Sequence, residues 1–228
     1  MGLPQRTNPV REAAPSLPVL FRDDRFVVLN KPAGLAVHPG PRGGRSVEDW
    51  FPLLSRRRHG PWLVHRLDAD TAGCLLIALR RTALMAAQQE FAAGRACKTY
   101  WAIVRGVPSG TSGTVDAPLL RQNTSKGWRV VVDPSGKQAV TDWRVLGTVG
   151  KLSWLELSLR TGRTHQVRVH CSVLGCPVLG DPIYGDADGP LHLLARSLAL
   201  ALDPPVAATA PVPDHMQPTL KRFAPSVD

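Results

Sequence analysis

Apolar and polar positions alternate over much of the chain, and a few segments break into a helical period. Phe26-Val27-Val28-Leu29 is a compact β-branched run that predicts a strand, closed by Asn30-Lys31-Pro32 and a Gly/Pro-rich loop through Gly44. Ser46 ahead of Val47, Glu48 and Asp49 resembles a capped helix start, with the helix running to about Leu54. Cys74 to Leu79 is a second apolar strand. Over Thr82 to Ala93, Leu84, Ala87 and Phe91 share one helical face, Gln89 and Glu90 lie off it, and Gly94 stops the helix. Strands are predicted at Lys98–Val104, Gly113–Ala117, Trp128–Val132, Ala139–Leu146 and Leu152–Arg160. The last has Leu155, Leu157 and Leu159 on one face and Glu156, Ser158 and Arg160 on the other. Thr164 is placed to cap a helix from about His165 to Leu174, ended by Gly175. Leu191–Leu202 reads as a final strand, Pro204–Pro213 as a Pro/Ala-rich connection, and a short helix is expected near Pro218. Strands in series with few helices, without regular βαβ units, predict an α+β domain around a largely antiparallel central sheet with flanking helices.

The chain has 228 residues and 43% hydrophobic residues, enough for a real core. No apolar run approaches a bilayer-spanning length. Residues 1–18 are polar and Pro-rich without an apolar signal core, so they are expected to be a flexible lead-in, with residues 19–228 forming one domain in the cytoplasm. Four cysteines (Cys74, Cys97, Cys171 and Cys176) form no C-x-x-C pair, which argues against a zinc knuckle. Buried free thiols are expected.

Charge changes the picture more. The formal net charge is +10 and the sequence pI about 10.2. Arg42, Arg45, Arg56, Arg57, Arg58 and Arg66 fall in one stretch. Such an excess favours a polyanionic partner, although a solvated basic surface would look the same.

Three segments carry candidate chemistry. Asp68 sits in a polar loop between predicted strands, where reactive groups are commonly displayed; taken alone, it is more ordinarily a turn residue capping backbone amides. Asp70 makes an Asp-x-Asp pair, but no third oxygen ligand is near in sequence, so it reads as a turn or ion-pair residue and no metal is expected. Arg163-Thr164-His165-Gln166-Val167-Arg168 gathers donors at a predicted helix start, a natural phosphate site. His170 reads as a satisfied structural histidine. Tyr100, beside Lys98 on an alternating strand, is either core or a stacking platform for a base.

Together these segments resemble the RluA-like family of RNA pseudouridine synthases. His65-Arg66-Leu67-Asp68-Ala69-Asp70-Thr71-Ala72-Gly73 is similar to the family's central motif, Leu29 to Leu35 with His38-Pro39 to its first, and Lys98-Thr99-Tyr100 to its tyrosine motif. Thr161 to His170 with Gly180-Asp181-Pro182-Ile183-Tyr184-Gly185 is similar to its third, and Leu191-His192-Leu193 with Pro213-Asp214-His215-Met216 to its closing pattern. The likeness runs from about Val19 to Leu220. Ala72 stands where the family more often has Ser, and Leu194 where it often has His.

The resemblance implies a catalytic domain with an RNA-binding cleft, no small N-terminal RNA-binding module, and isomerisation of uridine to pseudouridine in ribosomal or transfer RNA. Asp68 would be the catalytic carboxylate, either attacking the anomeric carbon or abstracting a ribose proton to give a glycal. Arg168 would pair with Asp68, Tyr100 would stack on the uracil, Arg66 would fill the gap left by the flipped nucleotide, and Arg163 and His165 would hold backbone phosphate. No cofactor is expected, and a monomer is. Two rivals remain: a non-catalytic RNA-binding or ribosome-assembly protein retaining the fold, and a metal-dependent nuclease using Asp68 and Asp70.

Overall fold

The computed structural model describes residues 17–40, 43–125 and 127–223. The first sixteen residues of the expected lead-in and Arg42 lie outside them. In chain order the elements are β1 (Val19–Arg22), β2 (Phe26–Lys31), a 3-10 turn (Val47–Trp50), α1 (Phe51–Leu54), β3 (Trp62–Leu63), β4 (Ala72–Ala78), α2 (Arg81–Ala92) and β5 (Cys97–Arg105). There follow β6 (Ser112–Asp116), β7 (Leu119–Thr124), β8 (Gly127–Val132), β9 (Val140–Val149) and β10 (Leu152–Leu159). The chain closes with α3 (Gln166–Val173), β11 (Leu193–Leu200), β12 (Val206–Thr209) and α4 (Gln217–Lys221).

Ten strands form one sheet in the order β1-β2-β4-β11-β5-β10-β9-β6, with β12 beside β11 and β3 beside β4. Every pairing is antiparallel except β4 with β11. The expected α+β architecture is therefore present. At the parallel pair Gly73 has φ +112°, and a Cβ there would meet the Ala195 carbonyl oxygen at 2.2 Å. Only glycine lets the two backbones approach this closely. In the same pair Leu194 is the register partner of Ala72. The two positions that depart from the family pattern thus face each other, both buried in one apolar cluster with Cys74, Leu76 and Ile103.

Several expectations are corrected. The segment after Ser46 is a 3-10 turn leading into a single α turn. The strand expected at Trp128–Val132 is β8, and it pairs in a separate hairpin with β7, which was not expected; only Leu119 and Val130 of the pair are buried, and Leu120, Trp128 and Val132 are exposed. The Pro/Ala-rich connection holds β12, whose backbone pairs with β11 although its side chains are small. Cys97 is exposed while the other three thiols are buried. Glu90 is buried on α2 because Arg95 hydrogen-bonds its carboxylate at 2.6 Å. No helix among the described residues is long and apolar enough to cross a membrane.

Candidate active site

Asp68 lies in the loop entering β4, at the centre of the sheet. Two backbone ties hold that loop: Thr71 N–H donates to the Asp68 carbonyl at 3.2 Å and Gly34 N–H to the Ala69 carbonyl at 2.9 Å. Lys31 adds a third. Its side chain is fully buried, and Nζ donates to the carbonyls of Pro32, Leu35 and Ala69 at 2.7–2.8 Å. Burial lowers its pKa to about 8, opposed by the charges of Asp70 and Asp68. Lys31 thereby welds the first motif to the loop bearing Asp68. Asp70 sits exposed in the turn, and among the described residues no group of three or more His, Cys, Asp or Glu is placed to hold a metal.

The Asp68 carboxylate is partly exposed and faces two residues from α3. Arg168 Nη1 lies 3.7 Å and His165 Nε2 3.8 Å from its Oδ2. Arg168 is 3% exposed and lies behind Asp68, away from the cleft mouth. Its main partner is Asp181, which sequence reasoning quoted without a role. Arg168 Nε and Nη2 donate to the two Asp181 oxygens at 2.7 Å each. Burial pushes the Asp181 carboxyl up, but the Arg168 bonds and charge, with the Ile183 and Tyr184 amides, hold it below its ordinary value.

His165 differs from the expectation more. It begins α3 with φ +54°, in place of the expected Thr164 cap. It is buried, its Nδ1 lies 2.8 Å from the Tyr184 hydroxyl, and its ring stacks on Trp128 of β8 at 5.0 Å. Burial lowers its pKa, with Asp68 opposing. The imidazole is thus a covered group beside Asp68 and is not displayed at the surface. Tyr184 falls in the segment similar to the family's third motif but carried no role there, and Trp128 stood only as the start of a predicted strand. His170 is a satisfied structural residue, placed 2.8 Å from the Thr141 hydroxyl and 3.2 Å from the Ala117 carbonyl.

Tyr100 projects from β5 into the same cleft, which is lined also by Arg66, Leu67, Thr71, Leu159, Arg163 and Leu193. Burial raises the Tyr100 pKa, with the Asp68 charge adding to it, so the phenol stays neutral. Arg66 is exposed at the cleft mouth. Arg163 is exposed, with Nε donating to the Gln138 carbonyl at 2.9 Å. Buried Gln166 fixes its loop: Oε1 accepts from Arg163 N–H and the Thr161 hydroxyl, and Nε2 donates to the Val140 carbonyl and Thr141 Oγ1. All six sequence-selected residues therefore border one cleft, with Arg168 and His165 beneath it.

A model of the RNA pseudouridylate synthase family matches residues 25–173, from β2 through α3. The chain belongs to this family. An uncharacterized RNA pseudouridine synthase of Zymomonas mobilis is 40% identical over 204 residues, covering 86% of this chain and 93% of the relative. Ribosomal large subunit pseudouridine synthase D of the same organism is 40% identical over 192 residues, 80% of this chain, which spans 60% of that relative's length. Among solved structures, human RNA pseudouridylate synthase domain containing 4 superposes with TM-score 0.76 at 30% identity, covering 90% of this chain and 92% of that one. Human RNA pseudouridylate synthase domain containing 1 gives 0.71 at 29% identity, covering 90% and 86%. Membership places the chain among isomerases that act on RNA, and the matched span contains Arg66, Asp68, Tyr100, Arg163, His165 and Arg168.

Proposed function

We propose that this chain isomerises uridine to pseudouridine in ribosomal or transfer RNA, with Asp68 as the catalytic carboxylate. The observation that carries this is Asp68 itself: a partly exposed carboxylate on a loop welded by Lys31, backed by Arg168 and His165, opening onto a cleft beside Tyr100. The reaction breaks the bond from ribose C1′ to uracil N1, turns the base, joins C1′ to C5, and transfers the C5 proton to N1. Atoms and electrons balance within the substrate, so the proposal calls for no cofactor.

Asp68 acts on the ribose, as nucleophile at C1′ or as base. Tyr100 stacks on the uracil and shuts out water, a contact that stabilises a bound base by about 1–3 kcal/mol. Arg66, exposed at the mouth, enters the gap left by the extruded nucleotide, whose flipping costs a few kcal/mol and least in a loop. Arg168 and His165 act through Asp68. Residues 19–228 constitute the catalytic domain, working as a cytoplasmic monomer.

The test is to map pseudouridine across total RNA from cells with the protein, without it, and with Asp68→Asn in its place. We expect one or more sites to vanish without the protein and not to return with Asp68→Asn. Wild-type modification by Asp68→Asn would remove the carboxylate from the mechanism. An unchanged map in the null strain would favour the non-catalytic RNA-binding reading.

A further inference from the structure

Lys98 and Tyr100 are two residues apart on β5. Alternate strand residues point to one face, and two steps cover about 6.6 Å. Beyond Tyr100 the cleft continues into a groove of about 360 Å³ lined by His65, Phe91, Lys98, Gly162, Arg163 and Thr164. The Lys98 stem is half-buried, its Nζ lying 5.6 Å from the centre of the Phe91 ring. Nζ donates a long 3.3 Å hydrogen bond to the Thr161 carbonyl. Arg163 spends its Nε on the Gln138 carbonyl, leaving its terminal nitrogens for another acceptor. Among the described residues neither cation has an acidic ion-pair partner. Burial and then the nearby Arg163 charge both lower the Lys98 pKa, so the two cations feel each other. Like charges lining one groove are unfavourable until an anion enters between them.

We infer that Lys98 and Arg163 form an anion seat for a phosphate flanking the target nucleotide, a role resting on the synthase reading above. The three parts of a nucleotide then meet three parts of the cleft. Tyr100 takes the base, Asp68 the ribose, and the Lys98–Arg163 pair the phosphodiester. The seat fixes the nucleotide along β5, so that the sugar arrives at Asp68 in one orientation. Lys98 is accordingly a positioning residue.

The test uses a synthetic RNA stem–loop spanning a uridine mapped as above, bound to Asp68→Asn protein so that no turnover intervenes. Adding Lys98→Gln is expected to weaken binding about tenfold, the scale of one charged hydrogen bond. It should also reduce the slope of log K against log salt by about 0.7, the value for one single-strand phosphate contact. Lys98→Arg should restore most of both. The decisive arms replace the phosphate on either side of the target uridine, one at a time, by an uncharged methylphosphonate. On one of these two RNAs the Lys98→Gln penalty should disappear. A penalty that persists on both, or an unchanged salt slope, overturns the seat. Conversion of the unmodified stem–loop by wild-type protein is scored separately. If binding follows the seat but no pseudouridine forms, the synthase reading fails and the anion site stands.

Discussion

Asp181→Asn removes the charge that holds Arg168. The side chain keeps its size and an oxygen for the Ile183 and Tyr184 amides, which now donate at 2.9 and 3.1 Å. What it loses is the negative charge opposite a guanidinium that is 3% exposed, and the Oδ2 acceptor of Arg168 Nε, whose place an amide donor takes. Removing one partner of a buried ion pair costs about 3–5 kcal/mol, because the other charge is left uncompensated. Here a substitute is close. Asp68 lies 3.7 Å from Arg168 Nη1 and can move into contact, recovering about 1.5–3 kcal/mol as a charged hydrogen bond. The net loss for Asp181→Asn should therefore be about 1–3 kcal/mol, accompanied by a fall in kcat as Asp68 is drawn off its position. In an Asp68→Asn background no substitute exists, and the same substitution should cost the full 3–5 kcal/mol. Urea unfolding of the four proteins closes the cycle, provided the slopes with denaturant agree. An equal cost in both backgrounds would refute the claim that Arg168 electrically links Asp181 to Asp68. A cost below about 1 kcal/mol in both would refute the importance of the buried pair itself.

Gly73→Ala should destabilise by more than about 2 kcal/mol, since a Cβ at φ +112° meets a backbone oxygen at 2.2 Å; unfolding within 0.5 kcal/mol of wild type would contradict the close approach of β4 and β11. Tyr100→Phe, which keeps the ring, should retain most activity, whereas Tyr100→Leu should lower kcat/KM by about tenfold or more; an unaffected Tyr100→Leu enzyme would end the platform role. His65 accepts the Leu76 N–H at 3.0 Å, and its pKa is lowered to about 4 by burial and then by Lys98. The unfolded chain therefore takes up this proton first, so the contribution is complete above pH 6.5 and is lost as pH falls toward 4, at up to about 1.4 kcal/mol per pH unit. His65→Phe should remove one proton from the pH dependence of urea unfolding between those limits, and a slope identical to wild type would contradict the assignment. Trp128→Ala uncovers His165, so the imidazole titration followed by NMR should move up toward its ordinary value; no movement would mean that the stacked indole is not what buries it.

What could be read from the sequence follows from how each signal is written. β4, β5 and β10 bury continuous or alternating apolar residues, and α2 carries its apolar face at helical spacing, so periodicity alone located them. β7 and β12 leave no such trace. From Leu120 to Thr124 every residue of β7 is exposed, and β12 is held by backbone pairing to β11 through Val206 and small residues. The chemistry divides in the same way. Asp68, Arg66 and Tyr100 belong to local motifs, and reading them required only contiguous residues. The contacts that set Asp68's surroundings are long-range: Lys31 reaches Ala69 across 38 positions, and the Trp128 ring finds His165 only after the hairpin has folded back. Burial then separates residues that residue type could not. Arg163 and His165 read alike as basic residues at a helix start. The exposed one keeps its terminal donors at the cleft mouth, while burial of the other lowers its pKa and sets it beside the Asp68 carboxylate.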